Sequence, residues 1–125
     1  MEDLAARLQS AAATGMTTAV WASMKPDDVA IYDPSGTAHS FGKVNANANK
    51  LVRLFRQHGL VAGDAVALLC SNRAEFNEVM NACQRGGFRL TPVNWHLNTD
   101  EVQYIINDCD AKALVAELRY PSAKE

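Results

Sequence analysis

GDAVALLCSNRAEFNEVMNACQRGGFRLTPVN, residues 63–94, changes its apolar period twice. Ala65 to Cys70 are apolar without interruption, the pattern of a strand buried on both faces of a sheet. Phe76, Val79, Met80 and Cys83 then recur at i, i+3, i+4 and i+7, which predicts a helix with one buried stripe. Asn72 with Glu75 three positions later reads as a capping box for that helix, and Gly86-Gly87 close it. Arg89 to Asn94 return to an extended pattern. A strand, a helix and a strand with short connections predict a parallel pair joined by a right-handed crossover.

The periodicity extends in both directions. Val44, Ala48, Leu51, Val52 and Phe55 form one stripe of a helix that starts at Lys43 and ends at Gly59. Thr99 caps a further helix, with Asp100 and Glu101 in its first turn and Val102, Ile105, Ile106 and Cys109 on its buried face. Ala113 to Ala116 is the last strand. Upstream, Val29–Tyr32 and Thr37–Phe41 flank Asp33-Pro34-Ser35-Gly36 as a hairpin, and residues 3 to 13 form a short helix. The fold class is α/β: an N-terminal helix and β-hairpin, then α-β-α-β-α-β with a parallel sheet. The expected division is an N-terminal helix and loop over 1–27, an α/β subdomain over 28–117, and a frayed tail over 118–125.

Composition narrows the function classes. A chain of 125 residues makes one domain, burying roughly two-thirds of the surface its unfolded form exposes. Twelve Lys and Arg against fourteen Asp and Glu leave a net charge of -2, without a basic footprint for nucleic acid. Cys70, Cys83 and Cys109 are odd in number and contain no CxxC pair, so they read as reduced thiols of a cytoplasmic protein. The six apolar residues from Ala65 fall far short of the roughly 20 that span a bilayer. Leu8 to Met24 is uncharged, but its Gln, Ser and Thr residues make it too polar for a signal peptide.

Few residues point to chemistry. Ser71-Asn72-Arg73, after the central strand, holds no glycine, so neither GxGxxG nor GxxxxGK[ST] is present. A nucleophile elbow is also missing. His39 and His58 read as packing or solvated residues, Glu75 as a cap and Glu78 as solvated. Asn94, Trp95 and His96 lie past the C-terminal end of a parallel strand, where such sheets meet ligands, and form a weak substrate-binding candidate. No catalytic or metal-ligating residue emerges.

Three stretches carry a family resemblance: SFGKVNANANKLVRLF at residues 40–55, GLVAGDAVALLCSN at 59–72, and FNEVMNACQRGGFRLTPVNWHLNTDEVQYIINDCDAKALVAE at 76–117. In the last, a helix ends in Gly, a strand ends in Pro-Val-Asn and a helix opens with Thr-x-Glu. Together they resemble the start of the adenylate-forming acyl-CoA synthetases, the AMP-dependent synthetase/ligase family. The Pro-Val-Asn-Trp-His-Leu version is more similar to bacterial fatty-acyl CoA ligases than to peptide-synthetase adenylation domains.

The resemblance implies ATP-dependent activation of a fatty or other carboxylic acid and transfer to coenzyme A, with Mg²⁺ offsetting phosphate charge. It also implies that the family's phosphate loop, ribose-binding Asp and catalytic Lys lie beyond residue 125. The chain is then the catalytically silent N-terminal piece of a ligase, with the remainder of the synthetase as its partner and with apolar surface or sheet edge free for self-association. The alternative is a free-standing α/β interaction module derived from the same fold.

Overall fold

The computed structural model describes residues 3–120 and 123–124. Its elements are α1 (Leu4–Ala12), α2 (Thr17–Met24), β1 (Val29–Tyr32), β2 (Ala38–Ser40), α3 (Phe41–Gln57), β3 (Ala65–Leu69), α4 (Ala74–Gly86), β4 (Arg89–Val93), α5 (Thr99–Asp108) and β5 (Ala111–Ala116). β1 and β2 pair antiparallel as the expected hairpin. β3 lies between β4 and β5 and pairs with both in parallel, giving the sheet order β4-β3-β5.

The uninterrupted apolar run becomes the center of two cores because successive strand residues point to opposite faces. Val66, Leu68 and Cys70 meet Val52 and Phe55 of α3 and Val79, Ala82 and Cys83 of α4. Ala67 and Leu69 meet Val93 and Val102, with Ile105 and Ile106 of α5 packed alongside. Every residue from Ala65 to Cys70 is buried. Phe55 and Phe88 meet edge to face with centroids 5.8 Å apart, closing the bottom of the first core.

Helix ends depart from the sequence reading in three places. α3 starts at Phe41, because the Ser40 hydroxyl accepts the Lys43 N–H at 3.2 Å and so caps the helix two residues early. α4 is preceded by an extended Arg73 rather than capped by Asn72, and no side chain caps it. Glu75 is consequently not half of a capping box. For α5 the cap is Asn98: its side chain accepts the Glu101 N–H while Glu101 bonds back to the Asn98 N–H, leaving Thr99 as the first helical residue.

The segment 17–24, expected to be loop, is helix α2. Its apolar residues are not gathered on one face, so periodicity carries no signal there. Packing supplies the reason: α2 lies on α3, with the Trp21 and Phe41 rings 6.2 Å apart. Gly15, just before α2, lets the chain pass close to α4. Its φ is +68°, and a Cβ there would sit 2.5 Å from the backbone carbon of Gln84. Gly15→Ala therefore meets both strain and a clash with rigid backbone, and is expected to lower unfolding stability by about 2 kcal/mol, read by urea denaturation.

In the segment expected to fray from residue 118, the Tyr120 ring stacks on Trp95 at 5.0 Å and 13°. Pro121, Ser122 and Glu125 lie outside the described residues.

Candidate functional site

Parallel strands deliver their C-terminal ends to one edge of a sheet, and ligands of such folds bind beyond that edge. Here the edge is made by Ser71 to Arg73 after β3, Asn94 to Leu97 after β4, and Glu117 to Tyr120 after β5. Asn94 accepts the His96 N–H at 2.9 Å, which folds the loop tightly. His96 then lies against Trp95 with ring centroids 3.5 Å apart. Trp95 also stacks on Tyr120, with centroids 5.0 Å apart, and the Arg119 guanidinium sits 4.9 Å over the Tyr120 ring. The three residues singled out from sequence are thus adjacent and exposed, and Trp95 is engaged in stacking.

A second group, not singled out from sequence, gathers around Glu117. This side chain is 11% exposed. One carboxylate oxygen accepts the Ser71 N–H at 3.0 Å and the Ser71 hydroxyl at 2.9 Å. The other meets Arg119 Nε at 2.7 Å and Arg73 Nη1 at 3.2 Å. Arg73 also grips Glu75 in bidentate fashion, at 2.7 and 3.1 Å. Burial pushes the Glu117 carboxyl up, but the two Ser71 bonds and the neighboring arginines outweigh it, so the group is held below its ordinary value.

Glu117 therefore ties the end of β5 to the turn between β3 and α4. Ser71 and Glu117 follow the ends of β3 and β5, but no local pattern in the sequence pairs them. Three clefts of about 250, 350 and 250 Å³ share Arg73 as a wall. The largest is floored by Leu68, Cys70 and Val115. Burial and the nearby Glu117 push the Cys70 thiol up, and it donates to the Ser71 carbonyl at 3.1 Å. Burial pushes Cys83 up to about 11. Both remain thiols at neutral pH, so neither has the thiolate a nucleophile needs.

The histidines are placed as packing predicts. His39 Nε2 donates to Asp33 at 2.9 Å across the hairpin, and His58 is the C-cap of α3. The Ser35 hydroxyl and His39 together hold Asp33 at about 2. In this cluster the carboxylate, not the imidazole, holds the hydroxyl, so the histidine cannot take the serine proton.

Homology adds what the geometry leaves open. Residues 18–125 match the family described as AMP-binding enzyme. The chain belongs to the AMP-binding enzyme family. Among its relatives, the medium/long-chain-fatty-acid–CoA/3-oxocholest-4-en-26-oate–CoA ligase of Mycolicibacterium smegmatis is 32% identical over 76% of this chain and 17% of that protein. The fatty acid–[acyl-carrier-protein] ligase ScoC of Streptomyces coeruleorubidus is 29% identical over 81% of this chain and 19% of that one. The N-terminal domain of FACL13 from Mycobacterium tuberculosis superposes with a TM-score of 0.79, at 26% identity, over 89% of this chain and 28% of that domain. The chain thus spans 19% or less of these two ligases.

An AMP-binding enzyme must hold a nucleotide, and the edge described above does not fit one. Its guanidinium groups, on Arg73 and Arg119, already bond to Glu75 and Glu117. Two carboxylates beside the turn would repel phosphate, and that turn contains no glycine to let backbone N–H groups wrap around it. No group of three His, Cys, Asp or Glu suited to a metal ion occurs among the described residues. No described helix is long and apolar enough to cross a membrane.

Proposed function

We propose that this chain is a scaffold segment from the N-terminal domain of a cytoplasmic ATP-dependent acid–thiol ligase, acting on a fatty or other hydrophobic carboxylic acid and coenzyme A. The observation that carries the reading is the family match over residues 18–125, in a chain spanning 19% or less of two ligases that act on fatty acids. In the complete enzyme a carboxylate oxygen attacks the α-phosphorus of ATP, and the bond to the β-phosphate breaks with release of pyrophosphate. The coenzyme A thiol then gives up its proton and attacks the acyl carbon, expelling AMP and leaving a thioester. Mg²⁺ offsets the phosphate charge.

This segment's part is mechanical. β3 and β5 hold the turn at Ser71 and the Glu117 clamp in register, and α3, α4 and α5 cover the sheet. Asn94, Trp95 and His96 are the residues we assign to the substrate side of the edge, because they follow the C-terminal end of β4.

The test compares two proteins by ATP-dependent pyrophosphate release with a long-chain fatty acid. A protein continuing past Glu125 is expected to turn over and to need coenzyme A to complete the cycle, while the 125-residue chain releases none. Release by the short chain overturns the scaffold reading, and turnover with amino acids but not fatty acids overturns the substrate class. The outer edges of β4 and β5 have no strand partner among the described residues, and Leu114 and Leu118 are exposed beside β5. The isolated chain is accordingly expected to self-associate as its concentration rises through the micromolar range. Light scattering that reports a monomer throughout would contradict this.

A further inference from the structure

Helices α3 and α4 meet partly through a polar seam. Arg85 Nη1 donates to the Asn45 carbonyl at 3.2 Å and to Asn49 Oδ1 at 2.9 Å, while its Nε and Nη2 are buried without a partner. Thr18 of α2 donates to Asn81 Oδ1 at 2.8 Å, and Asn81 Nδ2 donates to the Asn77 carbonyl at 2.9 Å. Between these contacts sits Glu78, 6% exposed and not solvated as the sequence suggested. Asn47 of α3 is near enough to favor its charged form, and the Glu78 Oε2 is buried with no partner among the described residues.

A carboxylate has about four acceptor sites to satisfy, whereas the neutral acid has fewer and gains a donor of its own. Among the described residues this pocket leaves the Glu78 Oε2 without a donor. The charged and titratable groups around it are His39 from β2, Lys43 from α3, and Glu75 on α4. Arg85 lies two turns further along α4 with its bonds directed at Asn45 and Asn49, and α2 contributes no charge. We propose that the α3–α4 seam is a one-proton lock, in which Glu78 is enclosed as the neutral acid and its ionization loosens α4 from α3.

Burial is the largest influence on Glu78 and Glu75 adds to it, outweighing Asn47, His39 and Lys43, so the carboxyl titrates above the ordinary 4.5. A group raised in the folded state binds its proton more tightly there than in the opened state. The stability it contributes is complete below 4.5 and is lost as pH rises through the raised value. Because Arg73 and Glu75 stand at the start of α4, loosening this helix also loosens the clamp on Glu117.

The experiment is a carbon-13 NMR titration of the side-chain carboxyls, combined with hydrogen exchange of the α4 amides, in the 125-residue chain and in Glu78→Gln. The Glu78 carboxyl is expected to titrate above 4.5. Between 4.5 and that titration, α4 opening should grow by up to about tenfold per pH unit beyond the intrinsic exchange rate, and it should level off above the titration. Glu78→Gln, which keeps the shape and cannot ionize, should abolish that growth. Titration of Glu78 at or below 4.5 overturns the proposal, as does an unchanged opening profile in Glu78→Gln. Should the glutamine variant fail to fold, the wild-type titration decides alone.

Discussion

Leu68→Ala is expected to lower the unfolding free energy by about 3–4 kcal/mol, a large part of what a domain of this size possesses. Leu68 has no exposed surface and stands on the central strand, with β4 and β5 on either side and α3 and α4 above it. Truncation removes its burial and leaves a cavity that paired strands on both sides cannot collapse to fill. Urea denaturation reads the loss as a lower midpoint at similar slope. Leu68→Met, which nearly conserves volume, should cost less than about 1.5 kcal/mol. Equal effects for the two variants would mean that the strand is not the packed center of the fold.

Glu117→Ala is the second large effect, about 3 kcal/mol at neutral pH. The variant strips acceptors from the Ser71 N–H and hydroxyl and leaves Arg73 and Arg119 without this carboxylate. Arg73 and Arg119 are 42% and 61% exposed and can turn to water, which keeps the loss at the lower end for a broken buried pair. The sign with pH is opposite to that of Glu78. Held below 4.5 in the fold, Glu117 contributes stability above that value and loses it as pH falls toward its lowered folded value. Glu117→Gln should therefore flatten the acid limb of the stability profile. An unchanged acid limb would show that the clamp is not formed.

The sheet and its covering helices were legible because burial on both faces leaves a continuous apolar run at Ala65–Cys70, and one-sided burial leaves the stripes of α3, α4 and α5. What escaped the sequence depended on contacts between distant elements. Helix α2 carries no periodic stripe and owes its position to packing on α3. Glu78 looks like any solvated glutamate until α3 covers it with Asn47. The site was half legible: strand ends marked Asn94 to His96, but the clamp joins Ser71 and Glu117 across 46 residues, and nothing local announces it. The stacking of Tyr120 on Trp95 likewise joins residues far apart in the chain.

The central claim is that these residues are the scaffold of a larger ligase, whose nucleotide-binding and catalytic groups come from chain that follows. Its most direct test is to sequence the gene beyond the codon for Glu125. We expect the frame to continue into a Ser/Thr/Gly-rich stretch ending in Pro-Lys-Gly, the phosphate loop that the family resemblance implies. A stop codon directly after Glu125 would contradict the claim and turn attention to the interaction-module reading, with a partner chain covering the open sheet edges.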